Sequence, residues 1–334
     1  CKNSIFLLTT LINPKPIIVV PGSIPNMMRS FANFIVKFRF FVPMITIPHK
    51  AKQFLVFTIK LLIVIGAFYF IYEKISTDPN LNWEDSKKFI LKKTSLTELI
   101  IILLFSFFNR FIEILKWQNL VASFKKINLK QSTEQVLVAL TLGVFTPYGI
   151  GEYVGKTMFY KKNKAKNIIL LNLLCNGIQM VVVVVFGGIG FFILGHTKLG
   201  ISIFGIISVI IFVVYLVRKL KMNFLGIFFN SNHPISKQIH SKNIALGTTR
   251  FLILAHQYYY LFVVYDIHLP YITLLFTISV VYLLANSLPS FQLFDFAIKG
   301  SVAMYFFGEL GINQWIVVFM STLMWVLNIV LPVI

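Results

Sequence analysis

The stretch that decides the fold is residues 146–156, TPYGIGEYVGK, which interrupts an otherwise apolar part of the chain. Pro147 removes a backbone donor and disfavours helix at Thr146, and Gly149 and Gly151 permit backbone angles that other residues avoid. In lipid, non-helical backbone is tolerated only where protein buries it or where it lines a wet cavity. We therefore expect a functional break between two short helices here.

A second stretch, residues 288–299, LPSFQLFDFAIK, repeats this pattern. In both stretches an acid and a Lys four residues apart follow the Pro, the two sets being Pro147, Glu152 and Lys156, and Pro289, Asp295 and Lys299. Side chains four apart share a helix face and can pair. The half-helix after each break also presents free amide donors and partial positive charge, which suit an anionic group such as a lipid phosphate. The alternative is a Pro-kinked helix whose ion pair only neutralises itself.

Composition predicts a membrane protein. Hydrophobic residues make up 57% of the 334 residues and charged residues only 13%, whereas about a quarter of a soluble domain is charged. Apolar runs of spanning or near-spanning length lie at 54–72, 96–115, 168–194, 201–217, 244–265, 271–288 and 312–334. We therefore predict an all-α polytopic membrane protein of about seven transmembrane helices plus one or two re-entrant helix hairpins.

Charge and cysteine content exclude several other classes. The formal net charge is +20, but the basic residues lie in short blocks between apolar runs, where they set orientation and contact anionic lipid, so no nucleic acid is expected. Cys1 and Cys175 have neither a disulfide framework nor metal-site spacing. No metal or cofactor is expected, and the absence of a Walker phosphate loop gives no support to an ATP-driven pump.

The N-terminal 43 residues differ from the rest. Five prolines divide them into apolar pieces too short to span a bilayer. We interpret 1–43 as a tail that is disordered or not native, with a start at Met44, and 44–334 as a single membrane domain with halves at about 54–194 and 201–334. The last apolar run reaches Ile334, so the C-terminus is predicted to be truncated.

Loop charge predicts an orientation. The segments 116–133, 156–166 and 218–242 are basic and are assigned to the cytoplasm, whereas 73–95 also carries four acids and is assigned outside. We therefore predict that the chain crosses the inner (plasma) membrane several times and that its N-terminus lies in the cytoplasm.

The same charges predict how the first broken stretch meets the membrane. Both of its flanks are basic, so residues 135–160 are predicted to enter and return on one side, as a re-entrant hairpin with its tip at 146–151. If 271–308 enters from the opposite face, the halves form an inverted repeat. The first arm of that second hairpin is long enough to span, which is the alternative.

Further polar residues lie within the apolar runs. Arg110 and Glu113 can pair on one helix face, either along a substrate path or as an anchor at the cytoplasmic end. Arg250 either lines that path or extends to the interface. His256 and Gln257 lie deeper, where they bond a neighbouring helix or line the path. All five join the candidate substrate-binding residues.

The chain resembles the transmembrane region of lysylphosphatidylglycerol synthases and their stand-alone relatives. The resemblance is carried by residues 146–152 and Lys156, by Lys116 and Trp117 upstream, and by the second Pro-containing segment near the C-terminus. The resemblance covers about 52–334. It implies a flippase-type phospholipid translocase module without the aminoacyl-transfer domain of the full-length synthases. Residues 290–293, SFQL, depart from the Gly-rich form of many relatives.

The sequence thus favours a translocase over an enzyme and predicts that it moves an anionic or isoprenoid-linked lipid between leaflets. The headgroup would lie between the two broken segments, with Lys156 and Lys299 at its phosphate. One alternative is a membrane-embedded lipid-modifying transferase, in which Glu152 or Asp295 is a general base. Another is a non-catalytic subunit that binds a partner enzyme. A homo-oligomer is also compatible with the sequence.

Overall fold

The computed structural model describes residues 7–10, 13–18, 49–77, 95–146, 149–219, 235–288 and 291–334. The chain divides into two compact units, Cys1–Val56 and Phe57–Ile334. The first unit contains an antiparallel pair, β1 (Leu7–Thr10) and β2 (Asn13–Ile18), in which Leu7 lies opposite Ile18. Every element described from Phe57 onward is helical.

Ten α-helices are described. They are α1 (His49–Thr77), α2 (Leu96–Val121), α3 (Leu129–Val144), α4 (Ile150–Thr157), α5 (Ala165–Ile193), α6 (Thr197–Lys219), α7 (Lys237–Val264), α8 (Tyr271–Ser287), α9 (Asp295–Glu309) and α10 (Gln314–Trp325). Short 3₁₀ turns at Lys162–Lys164 and Gln292–Phe294 precede α5 and α9, and a π-helical turn, Val326–Val330, follows α10. All seven apolar runs lie in helices, so the helical fold class is confirmed.

Side-chain caps fix several helix starts. Ser95 and Glu98 form a capping box at α2, and Asn128 and Gln131 form one at α3. Such boxes satisfy backbone donors that the first turn leaves free. The Asn128 cap explains why α3 begins before residue 135, where the sequence prediction started the first arm.

The break predicted within residues 146–156 is present between α3 and α4. Gly149 has φ +62°, a left-handed conformation that favours glycine, and it directly precedes α4. The two helices pack along their length as a hairpin. A Cβ at Gly151 would lie 2.0 Å from the Leu142 carbonyl oxygen, so α4 approaches α3 more closely than any side chain allows. Pro147 lies outside the described residues, as does Pro289 of the second break.

Four helix pairs make the most extensive contacts: α2 with α7, α3 with α4, α5 with α8, and α9 with α10. The main apolar core joins α5, α7, α8, α9 and α10. A smaller core around Trp117 and Val121 holds α2 against α3 and α5. Two helices that pack on each other lie between two flanking helices twice in the chain. The pair α3 and α4 lies between α2 and α5, and the pair α8 and α9 lies between α7 and α10.

One helical segment among the described residues, Lys162–Ile193, is long and apolar enough to cross a bilayer, judged by length and composition. Shorter apolar helices are found at Leu61–Glu73, Thr197–Val209, Tyr271–Ser287 and Gln314–Val330. The long helix α2 carries Glu98, Arg110, Glu113 and Lys116, and α7 carries Arg250, His256 and Gln257. These polar residues lower the mean hydropathy of both helices.

We expect Gly151→Ala to destabilise the chain by about 2 kcal/mol or more, because overpacking costs about 1–3 kcal/mol where side chains can adjust and the Leu142 carbonyl cannot move aside. The matched control is Gly177→Ala on α5, where a Cβ meets nothing within 4 Å. Thermal unfolding of the purified full chain measures both. Equal melting temperatures for the two variants would contradict the close approach of α3 and α4.

Candidate functional site

Thr146 ties the two arms of the first broken segment together. Its hydroxyl donates to the Leu142 carbonyl at 2.7 Å and accepts from the Gly151 amide at 2.7 Å. One side chain thus satisfies a carbonyl at the end of α3 and an amide at the start of α4.

The two broken segments meet through Gln292. This residue opens the 3₁₀ turn before α9, and its side chain lies directly over the first break. A Cβ at Gly143 would lie 3.0 Å from Gln292 Oε1, and one at Gly149 would lie 3.3 Å from Gln292 Nε2. The sequence predicted two related breaks, and the structure brings their tips into contact.

Glu152 and Lys156 pair across one turn of α4. Lys156 Nζ lies 3.2 Å from Glu152 Oε1, donates to Asn172 Oδ1 at 2.6 Å, and lies 4.5 Å from the centroid of the Trp117 ring. Lys156 is only 1% exposed. Glu152 also accepts from Asn176 Nδ2 at 3.2 Å. A carboxylate, an amide and an aromatic face thus surround this buried side chain, in place of water.

Asp295 and Lys299 form the equivalent pair on α9. Lys299 Nζ also lies 5.5 Å from the centroid of the Tyr282 ring on α8. In each segment, therefore, the Lys pairs with an acid on its own helix and lies near an aromatic ring on a neighbouring helix.

A third charge cluster joins α2 to α7. Glu113 accepts from Arg110 and from Arg250 Nη2, the latter at 3.2 Å. Arg250 Nε donates to Asn109 Oδ1 at 3.0 Å, and Arg110 donates to the Asn328 carbonyl. Arg110, Glu113 and Arg250 also line an interior cavity.

Gln257 belongs to the network behind this cluster, whereas His256 does not. Gln257 is fully buried, donates to Ser106 Oγ at 2.6 Å and accepts from Asn328 Nδ2 at 2.9 Å. His256 Nε2 lies 2.8 Å from the Tyr271 hydroxyl, and the residue does not line the cavity. The two neighbours point to different sides of α7, and Gln257 connects helices.

Several of these residues line a polar cavity of about 320 Å³. A smaller cavity of about 170 Å³ shares Gln179, Arg250, Tyr282, Asn286 and Lys299 with it. The polar residues of the larger wall are Asn109, Arg110, Glu113, Glu152, Asn176, Gln179, Arg250, Tyr282, Asn286, Gln292, Lys299 and Asn328. A volume of this size is at the lower end of small-ligand sites, at roughly 300–1,000 Å³.

The charges in and behind this wall favour an anion. Five cations, Arg110, Lys116, Lys156, Arg250 and Lys299, face three carboxylates, Glu113, Glu152 and Asp295. Lys116 lies behind the wall and donates to Gln179 Oε1 at 3.0 Å. Within the described part of the chain, no three His, Cys, Asp or Glu side chains are grouped to hold a metal ion.

Sequence reasoning missed the amides of this wall. Asn176 and Gln179 lie at helical spacing on one face of α5, with Asn172 one turn earlier behind the wall, and Asn328 lies within the last apolar run. The sequence did carry a signal for them, namely amides at helical spacing within apolar runs. An amide is uncharged, however, and many amides in apolar helices only bond a neighbouring helix.

No protein-family model matches the chain, and no curated protein matches it. The relation to the lysylphosphatidylglycerol synthases therefore remains a prediction that rests on residues 146–152 and Lys156.

We expect Glu113→Gln to destabilise the chain by about 3 kcal/mol, because it leaves two enclosed guanidinium groups without their shared carboxylate. Adding Arg250→Gln should restore part of the loss, since one uncompensated charge is removed. Glu309→Gln is the matched control, because Glu309 meets His196 at 3.4 Å and is 44% exposed. A double variant as unstable as the sum of the single variants would show that Glu113 and Arg250 do not interact.

Proposed function

We propose that the helical unit spans a membrane several times and moves a phosphate-bearing lipid between leaflets through the polar cavity. The observation that carries the proposal is the inverted polarity of the helices, with charges inside and large apolar side chains outside. On α2, Asn109, Arg110 and Lys116 are buried, whereas the exposed residues include Leu99, Ile100, Leu103, Leu104, Phe107 and Phe108. An apolar outer surface around a charged interior suits lipid as the surrounding medium.

The same polarity occurs on α5 and α6. Val181 is 63% exposed on α5, whose amides Asn172 and Asn176 face inward. On α6, the exposed residues include Ile201, Ile206, Val209 and Phe212. Three helices thus direct their apolar faces away from the cavity.

The proposed membrane arrangement follows the sequence predictions. The hairpins α3–α4 and α8–α9 enter from opposite faces as an inverted repeat, and the basic segments lie in the cytoplasm. The contact between the two tips, through Gln292, supports a site at the centre of the bilayer. Irregular backbone is tolerated at that depth where it borders a cavity.

The cavity charge supports an anionic headgroup as the substrate. Its ion pairs are preorganised, and an entering phosphate takes the place of a carboxylate beside Arg250 or Lys299 without a large change in local charge. A Glu113 carboxylate displaced from Arg250 remains within reach of a second cation, since it also contacts Arg110. This exchange holds the headgroup while leaving it free to depart.

An apolar groove supports lipid as the molecule that carries the phosphate. It measures about 420 Å³ and lies between α1 and the α8–α9 hairpin, where its lining includes Ile63, Phe70, Leu284 and Val302. Lys299 projects from a neighbouring face of α9 into the polar cavity. Helix α9 thus borders both the polar cavity and the apolar groove, which match the headgroup and the acyl chains of a lipid.

Membrane embedding predicts where a probe attached to the chain resides. In a background that carries Cys1→Ala and Cys175→Ala, fluorophores on Val181→Cys and Leu104→Cys should be quenched by phospholipids labelled in the acyl chain and not by a water-soluble quencher. A fluorophore on Lys126→Cys, in the exposed segment between α2 and α3, is the control and should respond to the water-soluble quencher. Aqueous quenching at all three positions would contradict the proposal.

Lipid movement is tested by reconstituting the full chain in liposomes with fluorescent phospholipid and adding a membrane-impermeant quencher. We expect the quenched fraction to rise well above the half that resides in the outer leaflet. Arg250→Gln and Lys299→Gln should each slow the movement at least ten-fold, since each removes a cation that faces the phosphate. Lys198→Gln, an exposed residue of α6, should leave the rate unchanged.

Two results would redirect the proposal. Equal rates for equally reconstituted Arg250→Gln and parent proteins would remove the cavity from the pathway. No movement of any lipid by the parent would favour a lipid-modifying transferase or a subunit of one, and turnover of a labelled donor by the purified chain would then identify the transferase.

A further inference from the structure

Lys116 differs from the other interior cations in the partners that hold it. Four of the five cations in and behind the cavity wall contact a carboxylate, and these are Arg110, Lys156, Arg250 and Lys299. Lys116 Nζ instead donates to the Cys175 carbonyl at 3.3 Å and to Gln179 Oε1 at 3.0 Å. Lys116 is only 1% exposed, and within the described part of the chain its hydrogen-bond partners are these two neutral oxygens.

The two oxygens around Lys116 can be satisfied by either protonation state of its amine. An ammonium has three N–H donors, and the uncharged amine keeps two, which is the number of oxygens that Lys116 contacts. If Lys156 or Lys299 lost its proton, in contrast, a carboxylate would remain without its counter-charge. Lys116 can therefore exchange a proton without separating an ion pair.

Titratable and charged groups approach Lys116 from its own helix and from three neighbouring helices. They are Glu113 on α2, Lys156 on α4, Cys175 on α5 and Arg250 on α7. The carboxylate among them is already shared by two guanidinium groups. A proton on Lys116 therefore adds positive charge to a region in which cations outnumber carboxylates, so it is sensitive to any further charge nearby.

Gln179 connects Lys116 to the cavity. Its oxygen accepts from Lys116, and the residue lines both the larger and the smaller cavity together with Arg250 and Lys299. An anion between Arg250 and Lys299 would thus be separated from Lys116 by one side chain. Its negative charge offsets the excess of cations and stabilises a proton on Lys116. Because such coupling is reciprocal, the proton strengthens binding of the anion by the same factor.

The position of Lys116 along α2 suits proton exchange with the cytoplasmic side. Arg110, Glu113 and Lys116 recur every three residues, and α2 ends at Val121. The segment from Lys116 to that end is roughly 7.5 Å long at 1.5 Å per residue. In the proposed membrane arrangement, Lys116 therefore lies between the cavity wall and the basic cytoplasmic segments.

We propose that Lys116 is a proton-binding site coupled to occupancy of the cavity by an anion. When the anion enters, the lone pair of Lys116 Nζ takes a proton from water. When the anion leaves, the N–H bond breaks, the nitrogen keeps the electron pair and water accepts the proton. The consequence for transport rests on the proposed function: the headgroup and a proton cross together, and a proton gradient drives the lipid.

The proton site is tested by titration calorimetry of the detergent-solubilised full chain with short-chain phosphatidylglycerol, in buffers of different ionisation enthalpy near neutral pH. We expect the parent to take up protons when the lipid binds. Lys116→Arg should bind the lipid without this uptake, because a guanidinium stays charged throughout the accessible pH range. Lys116→Gln, which carries no titratable group, should also show none. Lys166→Arg, at an exposed position of α5, is the matched control and should take up as many protons as the parent.

Coupled transport is tested in liposomes under an imposed pH gradient. Fluorescent phosphatidylglycerol is placed in the outer leaflet, and its loss of access to a membrane-impermeant quencher reports inward movement. In the parent we expect this movement to be at least three-fold faster with acid outside than with acid inside. The two gradients should give equal rates in Lys116→Arg, and a proton ionophore should remove the difference in the parent.

Three calorimetric outcomes would overturn the inference: binding without proton uptake by the parent, uptake that persists unchanged in both Lys116 variants, or no binding of the lipid. Movement by the parent at equal rates under both gradients would overturn the coupling to transport and leave the proposed function intact. Proton uptake on binding without movement of any lipid would instead refute the proposed function and support the proton site.

Discussion

The shared carboxylate of Glu113 is the interaction on which the other features of the interior depend. It joins Arg110 on its own helix to Arg250 on α7, 137 residues later in the chain. Two guanidinium groups enclosed without a counter-charge would be strongly unfavourable, so α2 and α7 are stable only in a register that brings these three groups together. The most extensive helix contacts in the structure surround this cluster.

The two broken hairpins complete the cavity that this register opens. Glycine at 151 lets α4 lie against α3, which directs Glu152 and Lys156 toward α2 and α5. Gln292 then connects the second hairpin to the first. Each carboxylate in or behind the cavity wall thus meets a cation from its own or a neighbouring helix.

Several features were predictable from local sequence because their causes are local. The seven apolar runs became helices, and Pro and Gly marked the first break, since backbone preferences act over a few residues. The pairs Glu152–Lys156 and Asp295–Lys299 were predictable because four-residue spacing fixes proximity on one helix. The early start of α3 was also encoded locally, in the capping box of Asn128 and Gln131, and that signal was overlooked.

The sequence by itself determined the helical class, the position of the breaks and the charge pairs within single helices, because each depends on neighbours in the chain. Only the tertiary structure decided that Arg250 meets Glu113, that Gln292 lies over Gly149, and that His256 and Gln257 point to different sides. These contacts join residues distant in sequence, so they depend on helix packing and rotation, which single-helix periodicity leaves open. The cavity arises from those contacts, so the amides of its wall could be identified only from the packed helices.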